Sequence, residues 1–139
     1  MNYLRAVPKP QRSVPQRVWR EKAILITKKL VRLRGECSRC GRKAPRYTMH
    51  GVHIVPVRFG NICADPENVE CMCAFCHTTD NDSAHLNERD FHEWFDAKYP
   101  NRRSVLRVKA EQVCALDFEE VYAERLQQYH QALVERQKA

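Results

Sequence analysis

The sequence predicts a small α+β fold built around a metal-clamped pair of short strands. Three observations carry this. Two Cys-x2-Cys pairs, Cys37/Cys40 and Cys73/Cys76, frame an interior segment. Inside it, β-type stretches at 49–57 and around 69–72 are parted by a polar loop holding Gly60, Asn61, Asp65 and Pro66, the punctuation expected between strands. Outside it, the pattern is helical on both sides. A chain of 139 residues, 43% of them apolar, suffices for one domain with a helical extension.

The elements follow in order. Residues 1–12, with Pro8 and Pro10 among basic residues, read as a disordered basic arm. A basic helix is expected over 13–35. Ser13 can cap it, Pro15 suits its first turn and Gln16 stands where a capping box places it. Val18, Leu25, Leu30 and Leu33 trace its apolar face, and Gly35 is its stop. Residues 36–86 form the expected zinc-stabilised core. Pro56 ends or bends its first strand, and a helix is expected to begin at the second knuckle. Residues 87–139 are a helical extension. Asn87 caps a helix over 88–98 carrying Phe91, Trp94 and Phe95, which Tyr99-Pro100 ends. A short helix follows within 101–112. Asp117 caps a last amphipathic helix reaching towards 136, with Val121, Leu126, Tyr129 and Leu133 on one face.

Charge is unevenly spread. Residues 1–46 hold 14 of the 24 Lys/Arg but 2 of the 17 Asp/Glu. A half this basic can neutralise phosphates and release counterions, so DNA is the expected partner. Lys28, Lys29, Arg32, Arg39, Arg42, Lys43, Arg46 and Arg58 are the candidate contacts. No apolar run approaches a membrane span, the longest being Ala23-Ile24-Leu25-Ile26. The N-terminus lacks an apolar signal region. A cytoplasmic site, bacterial or in a phage-infected host, is therefore expected, with no membrane partner.

The seven cysteines are read for metal first, since disulfides are not expected in a reducing compartment. Zinc takes four soft ligands in a tetrahedron, and Cys37, Cys40, Cys73 and Cys76 supply them. Such a closed zinc is structural. Cys71, two residues before Cys73, is a competing ligand. Cys63 and Cys114 read as small core hydrophobes. His85, His92 and His130 lack ligand spacing and read as ordinary helix-side histidines.

The segment between the knuckles is more specific. His53-Ile54-Val55-Pro56, then Asn68 five residues before Cys73, then His77 directly after Cys76, resemble the HNH, or ββα-metal, endonuclease family over about residues 36–80. The helical tail and the Gly-x-His sequence resemble, more loosely, the phage recombination nucleases of the Rap/NinG type. The resemblance implies a ββα-metal core that hydrolyses DNA phosphodiesters with Mg2+ or Mn2+, leaving 5′-phosphate and 3′-hydroxyl ends. A phage- or mobile-element-type role in recombination or DNA processing goes with it. By the same pattern His53 is the general base, Asn68 ties down the loop and orients that base, and His77 binds the cation. Asn81, one helical turn on, or Asp80 would assist.

One position departs from the pattern. The family's acidic or histidine ligand just before the base is Val52 here, and valine cannot bind metal. His50, on the same strand face, is either a substitute ligand or a bystander near DNA. A catalytically degenerate zinc-containing DNA-binding or adaptor protein is therefore the rival reading. A third is an interaction module whose C-terminal helices meet a recombination partner or a second copy.

Overall fold

The computed structural model describes residues 14–112 and 115–138. The expected basic arm at 1–12, the Ser13 cap and Cys114 lie outside them. Four α-helices, α1 (Gln16–Arg32), α2 (Glu88–Lys98), α3 (Arg102–Glu111) and α4 (Phe118–Lys138), surround two strands, β1 (Met49–His53) and β2 (Val69–Cys73).

Helix α1 starts later than its sequence suggests. Pro15 is the N-cap, with extended ψ of 144°, and no side chain caps the helix. Gln16 closes no capping box. Its Oε1 instead accepts from the Phe118 backbone N–H at 2.9 Å, which caps α4 from across the fold. Gly35 ends the helix as expected, at φ +70°, a value that suits glycine. The buried face is Ala23, Ile26, Thr27 and Val31, whereas Leu25 is 60% exposed. What decides the face is a close approach rather than bulk: Thr27 Oγ1, which donates to the Ala23 carbonyl at 2.7 Å, lies 3.2 Å from the Ala64 carbonyl. Helix α4 lies along α1, with Phe118, Val121 and Tyr122 packed on Ala23, Cys63 and Ala64.

The strands pair antiparallel, with Met49 opposite Cys73 and His53 opposite Val69. The first strand is shorter than the 49–57 stretch predicted, because a side chain takes over the ladder. Asn68 Oδ1 accepts from the Val55 backbone N–H at 2.8 Å, and its Nδ2 donates to the Val55 carbonyl at 2.9 Å. Strand β2 is buried along its whole length. Its Glu70 side chain is 3% exposed and meets Arg34 at 2.9 Å and Arg102 at 3.0 Å. Two cations compensate the buried carboxylate, tying the end of α1 and the start of α3 to the sheet. Val52, Ile54, Met72, Phe91, Phe95 and Leu106 belong to the main apolar cluster.

No α-helix begins at the second knuckle. Phe75–Thr79 makes one π-type turn, and Asp80 then turns extended at φ −70° and ψ 150°. The following Asp80-Asn81-Asp82-Ser83 run has short polar side chains that compete for backbone hydrogen bonds and favour turns. Helices α2, α3 and α4 otherwise match their expected extents, and Asn87 caps α2 by accepting from the Asp90 N–H at 3.1 Å.

Gly51 is where α1 crosses β1. A Cβ there would sit 2.8 Å from Lys28 Cγ and 3.0 Å from Lys28 Cα, so backbone would have to move. Gly51→Ala is expected to destabilise the fold by about 1–3 kcal/mol, read as a lower urea midpoint at unchanged slope.

Candidate active site

The knuckles come together as their spacing requires. The sulfurs of Cys37, Cys40, Cys73 and Cys76 all lie within 4.8 Å of one another. Cys40 and Cys73 Sγ are 3.6 Å apart. Sulfurs bound 2.3 Å from one zinc stand about 3.8 Å apart, so the four thiols could hold a structural ion such as zinc. Burial works against the Cys73 thiolate, but the Cys76 amide, Cys40 and Arg42 bring it down to about 7, ready to ligate. Cys71 is not in the cluster. It is buried in the main core, and its carbonyl accepts from the Ser38 N–H at 2.9 Å. Cys63 is buried, as expected of a small hydrophobe.

Asn68 is fully buried. Besides its two bonds to Val55, its Nδ2 approaches the Ile62 carbonyl at 3.2 Å. It thereby closes the loop from 54 to 68 on itself. That loop presents the Cys63 carbonyl 2.8 Å from His53 Nε2. A carbonyl can only accept, so His53 carries its proton on Nε2 and leaves Nδ1 as the free base. Burial lowers the pKa of His53, with Lys28 and Arg20 adding to the shift and the Cys63 bond opposing it.

His77 sits between two other histidines. Its Nδ1 is 2.8 Å from His50 Nδ1, and its Nε2 is 2.9 Å from His85 Nε2. Burial, then His85, His50 and Lys28, hold the His77 pKa down at about 4, so the ring is neutral at physiological pH. His50 is thus brought to His77, as one of its two expected roles required. His85 is brought there too, which sequence spacing missed. Eight residues along one helix would set the two rings about 12 Å apart along its axis, too far to meet, whereas a π turn and a loop bring them together. Asp80 and Asn81 are exposed beyond the end of that turn, so the expected helical pairing of Asn81 with His77 does not form. Among the described residues, the four cysteines are the only group of three or more donors that all converge. The three histidines form a row instead, and a single cation takes one nitrogen from His77. Neutral imidazoles suit a divalent transition ion better than a hard one.

A groove of about 480 Å3 runs beside the unpaired edge of β1. His53, His77, His85, Val52 and Lys28 are among the residues that line it. Val52 itself is 3% exposed and brings no ligand. Arg58, exposed and lying over Phe59, borders an adjoining cavity with Arg103 and Arg107.

The other basic candidates divide. Lys29, Arg32, Lys43 and Arg46 are exposed. Arg39 is occupied, 2.5 Å from Asp90 and stacked on Trp94. Arg42 stacks on Tyr47 and Phe75, with Nη1 3.5 Å from the Cys40 sulfur. Phe95 is in the core and Trp94 packs against it. No helix among the described residues is long and apolar enough to cross a membrane.

Metal removal tests the cluster. One zinc per chain is expected by elemental analysis. A strong chelator, or Cys73→Ser, should release it and melt the fold together with it; a chelated protein with unchanged circular dichroism would show the clamp to be dispensable.

Residues 37–83, about a third of the chain, match the family model described as HNH endonuclease. The two-stranded sheet, its flanking helices and the four-cysteine cluster agree with a zinc-binding HNH fold. The match ends before His85 and leaves out α1 to α4. No curated protein and no solved structure matches the chain.

Proposed function

We propose that this chain is a metal-dependent DNA endonuclease, premised on its HNH segment at 37–83. What carries the reading is that His53 and His77 line one groove with Lys28 on its wall. In this scheme His53 Nδ1 takes a proton from the attacking water, since Nε2 is committed to the Cys63 carbonyl. Asn68 acts through the loop it closes and is a positioning residue. Lys28 offers a cation to the phosphate, and Lys29, Arg32, Lys43, Arg46 and Arg58 offer charge to the backbone on either side. His77 would hold a divalent cation, Mg2+ or Mn2+ on the sequence reading. When bound, such an ion supplies Lewis-acid stabilisation of the phosphate and the leaving 3′-oxygen.

The finer form of this reading is a phage- or mobile-element-type enzyme of recombination or DNA processing. Its support is the sequence likeness to phage recombination nucleases. A recombination partner or second copy would use the outward side of α4, whose inner side packs on α1.

Val52 favours one second reading, a degenerate HNH fold that binds DNA without cutting it. Cleavage separates the two. The wild type should cut branched, single-stranded or duplex DNA with a divalent ion, and His53→Ala should lower the rate by about 10²–10⁴-fold while zinc content and DNA affinity stay the same. Salt-dependent binding with no cleavage under any divalent ion would establish the second reading instead.

The pH profile is a separate check. The base works unprotonated, and the folded-state pKa of His53 lies below its ordinary 6.5. The single-turnover rate should therefore fall at acid pH with a midpoint below 6.5. A fall already centred above 6.5 would assign the base elsewhere.

A further inference from the structure

The row of three histidines holds more than the HNH pattern uses. His77 and His85 line the groove beside His53, whereas His50 does not. The His77 nitrogen facing His85 is Nε2, and the one facing His50 is Nδ1. Two nitrogens bound to one ion at about 2.0–2.1 Å stand about 3.3 Å apart at a tetrahedral angle. The 2.9 Å separation of His77 Nε2 and His85 Nε2 needs a few tenths of an ångström of opening, and exposed His85 is free to give it. An ion there faces the groove, with open positions towards water and phosphate. An ion between His50 and His77 would not.

We propose that His77 Nε2 and His85 Nε2 together hold the divalent cation, with His85 replacing the ligand that Val52 lacks. His50 is then a positioning residue. Its Nδ1 accepts the His77 Nδ1 proton, which leaves the lone pair of His77 on Nε2. Metal-bound histidines ordinarily donate their other N–H in this way. A two-imidazole site with no carboxylate selects borderline transition ions. Ni2+, Co2+ and Zn2+ should bind more tightly than Mn2+, and Mg2+ least of all. The use of the ion in cleavage rests on the nuclease reading above, but its binding does not.

Calorimetric titration of the zinc-loaded full chain with Ni2+ and with Mg2+ tests this without reference to cutting. The wild type should show one Ni2+ site beyond the structural zinc, with Mg2+ at least about tenfold weaker. His85→Ala should weaken Ni2+ binding by about tenfold or more, at unchanged zinc content and melting temperature. His85→Asp should narrow the gap between Ni2+ and Mg2+ by supplying a hard oxygen. His50→Asn, whose Oδ1 keeps an acceptor where Nδ1 stood, should bind Ni2+ nearly as the wild type does, whereas His50→Ala should lose about tenfold. Unchanged Ni2+ affinity in His85→Ala overturns the site. So does His50→Asn binding as poorly as His77→Ala, which would make His50 the ligand. A wild type that binds Ni2+ as expected yet cuts no DNA sinks the nuclease reading and leaves the metal site standing.

Discussion

The candidate site hangs on one buried amide. Asn68 is sealed from solvent and spends its side chain on Val55 and Ile62. Inside a protein such a group must be satisfied or it costs about 1–3 kcal/mol. Its partners are all backbone atoms of one loop, so satisfying it fixes the path of that loop. The path sets where β1 stops pairing and where the Cys63 carbonyl points, and that carbonyl chooses the tautomer of His53. A structural amide thus reaches the candidate base through the Cys63 carbonyl without touching it.

The rest of the fold supplies what a small core cannot. Two strands of five residues bury too little to stand alone. The knuckles join the segment after α1 to the end of β2, and Glu70 joins β2 to Arg34 and Arg102. Both links bridge parts distant in sequence, so each closes a long loop whose entropy cost is met only in the folded chain. Helix α1 does a second job. Packed close on Gly51, it brings Lys28 to the wall of the groove beside His53 and His77.

Basic residues close in sequence serve different ends. Arg39 and Arg42 sit on the first knuckle, where aromatic rings and acceptors are at hand, and both are drawn into the structure. Lys43, the next residue, remains in solvent, and Arg46 is exposed with its guanidinium over Tyr47. A charge count finds a basic half and cannot say which cations are already engaged, because ion pairing depends on neighbours such as Asp90 that lie some fifty residues away.

The sequence alone determined the elements whose signals are local. Caps and stops such as Asn87, Asp117 and Gly35 act on adjacent backbone, and a Cys-x2-Cys spacing presents two sulfurs from one turn. Those features, with the His53, Asn68 and His77 pattern, were legible residue by residue. What only the tertiary structure decided were the choices that depend on distant partners. Thr27 rather than Leu25 faces inward because Ala64 lies against it. The first strand ends at His53 because Asn68 intercepts it. Asn81 misses His77 because the chain makes a single π turn there and then runs extended, and the same change of direction brings His85 within 2.9 Å. Periodicity describes neighbours along one element, and a ligand delivered by a change of direction has no period to read.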